Sequence, residues 1–200
     1  MKTAALAVFG AFLAGGSALA QDAAPAGREA AVFAGGCFWC VEEAFDKLPG
    51  VLATTSGYTG GTVENPTYQD VSAGSTGHFE AVKVEYDPSK VTFDRLLETF
   101  WQNIDPFDAA GQFCDKGDSY KSAVFIENDQ ERQLAEAGTA RISEQFKMPV
   151  ATQVLQEQAF YPAEDYHQDY HKINPVRYKY YKWGCGRAQR LEEIWGEPAV

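Results

Sequence analysis

The sequence predicts an α/β sandwich (α+β) with a ferredoxin-like β-α-β-β-α-β core, in which helices cover one face of a mixed or antiparallel sheet. Three observations carry that prediction: an apolar run at Ala31-Val32-Phe33-Ala34 stopped by Gly35-Gly36, strict alternation over residues 78–86, and a helical stripe at Phe93, Leu96, Leu97, Phe100 and Trp101. The apolar run reads as the first strand. Residues 40–48 then have helical spacing, with Val41, Ala44, Phe45 and Leu48 on one face and Glu42 and Glu43 in the first turn. Residues 51–58 read as the second strand, and residues 57–77 as a long polar loop broken by Asn65-Pro66 and Gly74. A loop of that length inside a compact domain is usually functional. In the third strand, residues 78–86, Glu80, Val82, Val84 and Tyr86 share one face while Phe79, Ala81, Lys83 and Glu85 share the other. Asp87-Pro88 separates it from the second helix, and residues 122–127 supply the fourth strand. Residues 129–146 form a further helix. Beyond Pro162 the sequence predicts an irregular, aromatic C-terminal tail with short helices at about 164–171 and 187–195.

Residues 1–20 read as a signal peptide cleaved near Ala20: Lys2 leads an apolar stretch, and Ala18-Leu19-Ala20 has the small-residue cleavage pattern. The apolar stretch is too short to span a bilayer, so the expectation is an exported, periplasmic protein with no membrane insertion after cleavage. Residues 21–28 read as a flexible linker and residues 29–200 as a single domain. Lys2 is the only charge in the first twenty residues, so cleavage takes the formal net charge from −11 to −12. Nucleic acid and anionic membrane surfaces are therefore excluded as partners. An oxidising compartment would allow the four cysteines, Cys37, Cys40, Cys114 and Cys185, to be two structural bridges, although a domain of this size folds without them.

Cys37 argues for chemistry instead. It lies where a strand turns into a helix, and the backbone N–H groups there favour an anion, which predicts a thiol pKa below the free value. Glu80 is the second unusual residue, because its phase places a carboxyl among valines, where desolvation would keep it protonated near neutral pH and able to donate a proton. Cys37-x-x-Cys40 alone fits a thioredoxin-type redox pair or half a zinc site. No second ligand pair lies at finger spacing, and His167 and His171, one helical turn apart, fit an aromatic-packed face better than a metal site, so no metal is expected. Tyr68, Asp115 and Tyr120 fall in polar loops that flank strands.

Several ordered motifs resemble the A-type peptide methionine sulfoxide reductases: Gly36-Cys37-Phe38-Trp39, Gly57-Tyr58-Thr59-Gly60-Gly61, Asn65-Pro66-Thr67-Tyr68, Gly74-x-x-Gly77-His78-x-Glu80, Asp115-x-Gly117-x-x-Tyr120-x-Ser122 and Ala163-Glu164-Asp165-Tyr166-His167-Gln168. The resemblance implies reduction of methionine-S-sulfoxide, free or in proteins. It gives Cys37 as nucleophile, Glu80 as acid, Tyr68 and Tyr120 as donors to the sulfoxide oxygen, Asp115 as an orienting group, and Phe38 and Trp39 as a cage for the substrate methyl. It implies no bound cofactor and an external thioredoxin-like dithiol. A sulfoxide is a poor electrophile until its oxygen is protonated or strongly hydrogen-bonded, so pairing a thiolate with a neutral acid and phenols is chemically coherent. Attack leaves a Cys37 sulfenic acid, which a second thiol converts to a disulfide. Many members carry Gly where Cys40 stands, Gln where Ser119 stands and Arg where Lys121 stands, and the best-known type has two cysteines in a glycine-rich tail. Here Cys185, between Gly184 and Gly186, is the favoured resolving thiol and Cys40 the next. The rival function is a thioredoxin-like disulfide oxidoreductase using Cys37 and Cys40, which would need a cis-proline facing the pair.

Overall fold

The computed structural model describes residues 27–196; the expected signal peptide lies outside them, as does all of the expected linker except Gly27 and Arg28. The chain runs β1 (Glu29–Gly35), α1 (Phe38–Asp46), β2 (Val51–Thr59), α2 (Tyr68–Ser72), β3 (Phe79–Tyr86), α3 (Phe93–Gln102), β4 (Gly111–Gln112), β5 (Asp115–Lys116), β6 (Ser122–Ile126), α4 (Asp129–Phe146), β7 (Gln153–Gln156), β8 (Tyr161–Pro162), α5 (Tyr170–Ile173), α6 (Pro175–Gly184) and α7 (Arg187–Trp195). The main sheet has the order β7-β6-β1-β3-β2-β8. Its four core strands, β6-β1-β3-β2, are all antiparallel to their neighbours, and β7 adds a parallel edge beside β6. This is the expected ferredoxin-like sandwich, extended by one strand at each edge.

The alternation in the sequence becomes two apolar layers. Phe33, Val82, Val84 and Tyr86 point toward Val41 and Phe45 of α1, Leu96 and Phe100 of α3, and Ile142 of α4. Val32, Ala34, Phe79, Ala81, Ala123 and Phe125 form the opposite layer, with Leu155 and Phe160 packed against it. Neither layer contains methionine: of the two in the chain, Met148 is exposed just past the end of α4 and Met1 lies outside the described residues. Thr92 and Asn128 accept backbone N–H groups of Arg95 and Glu131 and so cap α3 and α4 at their N-termini.

The sequence missed the two-residue strands β4, β5 and β8 and three larger features. The polar loop contains α2, whose N-cap Thr67 and Asp70 form a reciprocal capping box. β7 is too short and too half-buried to show a period. The tail is not irregular: Asp165–His167 is one 3-10 turn, and α5, α6 and α7 follow almost without a break, α6 opened by Pro175 at its first helical position. Gln168 fastens this tail to the edge of β2. Its amide accepts from the Ser56 N–H and donates to the Ser56 and Ala163 carbonyls, all at 2.8 to 2.9 Å, so one side chain satisfies a strand edge as a neighbouring backbone would. Among the described residues no helix is long and apolar enough to cross a membrane.

Candidate active site

β1 ends on Gly35-Gly36, and Gly36 adopts φ +80°, where a Cβ would stand 2.5 Å from Gln112 Cβ. Only glycine fits that turn. Cys37 follows as the N-cap residue of α1, with φ −51° and ψ 116°, so its thiol sits at the open end of the helix. The N–H of Phe38, one of the helix's unpaired first donors, donates to Glu80 Oε2 of β3 at 3.0 Å. Strand and helix are thereby locked together at the thiol.

A cavity of about 250 Å³ opens at this point, lined by Cys37, Phe38, Trp39, Tyr68, Glu80, Asp115, Tyr120 and Tyr181. It gathers from α1, α2, β3, β5 and the following 3-10 turn all seven residues that the sequence placed at the site apart from the resolving cysteines. Glu80 is fully enclosed, and burial pushes its carboxyl up to about 8, against the Phe38 N–H and aided by the nearby Asp115 and Cys40. With Oε2 committed to Phe38, Oε1 is left to carry the proton. Burial also raises the Tyr68 and Tyr120 phenols, which lie within hydrogen-bonding reach of one another, so both remain protonated donors. Glu164 positions Tyr68: its Oε1 accepts the Tyr68 N–H and its Oε2 the Tyr58 hydroxyl, both at 2.9 Å. Trp39 stacks on Tyr170 with ring centroids 3.8 Å apart, and its indole N–H donates to Nδ1 of buried, neutral His167 at 3.2 Å.

The thiols depart from expectation. Cys37 and Cys40 are both free and buried, one helical turn apart. Burial pushes Cys37 up, and Cys40 raises it further; the hydrogen bond with Cys37 pulls Cys40 down, aided by the positive charges of Arg187 and Lys182. The helix N-terminus therefore does not make Cys37 acidic by itself. The two thiols titrate as one coupled pair.

Cys185 is not a free thiol in this structure. It is bonded to Cys114, with Cα atoms 4.9 Å apart, and of its glycine flanks Gly184 ends α6 while Gly186 caps the start of α7. This bridge fixes the β4–β5 hairpin, which carries Asp115, to the end of α6. Sequence reasoning overlooked Tyr181 of α6, which donates to Asp115 Oδ2 at 2.6 Å and lies within hydrogen-bonding reach of Cys37. No local pattern marks it, because α6 has to fold back over the cavity before Tyr181 meets either partner. Among the described residues there is no cis peptide, so the geometry required by a thioredoxin-like oxidoreductase is missing. Cys114, Asp115 and Cys185 do place three potential metal-ligating atoms close together, two of them joined as the disulfide.

The family model described as peptide methionine sulfoxide reductase matches residues 29–199. The chain belongs to the peptide methionine sulfoxide reductase family. Peptide methionine sulfoxide reductase MsrA of Bacillus licheniformis is 52% identical over 171 residues, covering 84% of this chain and 94% of the relative. The Bacillus subtilis protein of the same name is 50% identical over 171 residues, covering 84% and 97%. Among solved structures, methionine sulfoxide reductase A of Corynebacterium diphtheriae aligns with a TM-score of 0.70 at 32% identity, covering 76% of this chain and 78% of that one. Reduced Mxr1 of Saccharomyces cerevisiae aligns at 0.71 and 28% identity, covering 76% and 88%. The reductase is thus an oxidoreductase acting on methionine sulfoxide, on the sandwich fold expected for it.

Proposed function

We propose that the 250 Å³ cavity is where this reductase takes methionine-S-sulfoxide, with Cys37 attacking the sulfur. The observation that carries this reading is the enclosure, in one small cavity, of a thiol, a carboxyl whose burial keeps it protonated to about 8, and two phenols. As Cys37 attacks, Glu80 protonates the sulfoxide oxygen and Tyr68 and Tyr120 hydrogen-bond it, so charge never develops on oxygen unrelieved. Phe38 and Trp39 offer apolar walls to the methyl group, and Asp115 holds Tyr181 beside Cys37. Methionine leaves, the oxygen remains on Cys37 as sulfenic acid, and the second thiol displaces it as water to give a disulfide.

Cys40 is our choice for that second thiol, reversing the order expected from the sequence, because it is free and one turn from Cys37, whereas Cys185 is already bonded. A thioredoxin-like dithiol then restores the pair; Mxr1 of yeast has been solved in complex with Trx2. We further infer export to the periplasm from residues 1–20, which would make a thiol relay across the membrane the source of that dithiol.

The test is turnover of purified protein on resolved sulfoxide epimers with dithiothreitol. Reduction of the S epimer alone, abolished in Cys37→Ser, is the expected result; equal activity in Cys37→Ser overturns the reading. Trapping the cysteine redox state in cells with and without transmembrane thiol relays tests the location, since an equally reduced Cys37 in both refutes it.

A further inference from the structure

Five of the large apolar side chains exposed on the described surface lie within one short stretch, residues 166–183. Three share one face of α6: Val176, Tyr180 and Trp183, spaced i, i+4 and i+7, are 83%, 75% and 78% exposed, and the Tyr180 and Trp183 rings stand 6.3 Å apart. An isolated exposed apolar residue needs no explanation, but a contiguous aromatic ridge does.

The position of the ridge follows from the helix itself. At about 100° per residue, Tyr178 faces the core, while Arg177 and Tyr181 line a hollow of about 360 Å³ shared with Trp39, Tyr68, Tyr166 and Tyr170. Trp39, Tyr68 and Tyr181 also line the smaller cavity at Cys37. Going further round the helix, Tyr180 follows Arg177, and Val176 and Trp183 follow Tyr180. The cavity, the hollow and the ridge are therefore continuous. Arg177 and Lys179, beside the ridge, pair with no carboxylate among the described residues.

We propose that this ridge is a docking surface for the polypeptide substrate, on which the apolar residues flanking a methionine sulfoxide lie while the oxidised side chain passes through the hollow to Cys37. The proposal rests on the reading of the cavity given above. A cavity of about 250 Å³ admits one side chain, so the rest of a peptide must cross the rim, and α6 forms one side of that rim. Methionine in folded proteins sits among apolar neighbours. Its oxidation makes the side chain polar and disrupts that packing, so the segment presented for repair is locally unfolded and rich in apolar residues. Such residues gain by covering an aromatic ridge.

The experiment compares the full chain with a Val176→Ser/Tyr180→Ser/Trp183→Ser variant, using dithiothreitol so that no protein reductant has to dock. Three probes are used: N-acetyl-methionine-S-sulfoxide methylamide, a short peptide with leucine and valine beside the sulfoxide, and the same peptide with serine and glycine there. The wild type should favour the apolar peptide. The variant should lose roughly tenfold or more of kcat/KM on that peptide through KM, the scale of one buried apolar side chain, with the small amide unchanged. Tyr180→Lys/Trp183→Lys should give the same selective loss. Unchanged peptide kinetics in both variants, or equal loss on all three probes, overturns the ridge as a substrate surface. A loss seen only with a thioredoxin-type protein as reductant overturns it too and assigns the ridge to the reductant. Failure of the cavity reading would be seen separately, as turnover of the amide by Cys37→Ser.

Discussion

Replacing Glu80 by glutamine keeps the shape and the acceptor for Phe38 N–H but removes the proton. With the carboxyl held at about 8, roughly nine-tenths of the enzyme carries that proton at pH 7 and about one-tenth at pH 9. The first reductive turnover of the wild type should therefore fall nearly tenfold between those values. On the acid side it should rise as the Cys37–Cys40 pair loses its first proton. Glu80→Gln should be slower by about 10² or more, the usual scale for losing a general acid and about 3 kcal/mol of barrier, and should lose the alkaline limb while keeping the acid one. Rapid-quench measurement of methionine formed per enzyme, without reductant, isolates this step. Stability supplies an independent check. Since the folded value lies above the ordinary 4.5, the native state holds a proton that the unfolded chain lacks, and stability declines as pH rises from about 4.5 to about 8. The full window corresponds to about 5 kcal/mol, all of it absent in the glutamine variant, whose denaturation midpoint should gain on the wild type in alkali. A wild-type rate flat from pH 5 to 9 and unchanged in Glu80→Gln would refute the reasoning.

Cys40→Ser should retain the first turnover and stall afterwards, and peptide mapping of wild type after one turnover should find Cys37 joined to Cys40; a Cys37–Cys185 link refutes Cys40 as the resolving thiol. Cys185→Ser should lower unfolding stability by about 4 kcal/mol on chain-entropy grounds for a loop spanning 71 residues, read by denaturant titration, while leaving that first turnover in place. Tyr181→Phe should shift the alkylation profile of Cys37 to higher pH, because its hydroxyl opposes the effect of burial on that thiol; an unmoved profile removes Tyr181 from the site.

Much of this was legible because the information is local. Glu80 shows itself by falling in step with Val82 and Val84, and Cys37 by following two glycines at the end of an apolar run. Tyr181 and the Cys114–Cys185 bridge are legible only once the tail has folded, since each depends on pairing across long separations that no period records. The acidity of Cys37 was misjudged for a related reason. The helix N-terminus can be read from sequence, but the depth to which the thiol is buried beneath Tyr170, Tyr178 and Tyr181 cannot.

The absence of methionine from both apolar layers has a consequence for durability. Phenylalanine, valine, leucine and isoleucine fill the interior, and peroxide or hypohalous acid finds no thioether there to convert into a polar, chiral group. Aromatic and branched side chains adapt less readily to irregular gaps than methionine does, so the packing is less forgiving of mutation. In exchange, thioether oxidation by the oxidants that create the substrate does not reach the two apolar layers, and among the described residues the one thioether exposed to them is Met148 at the surface.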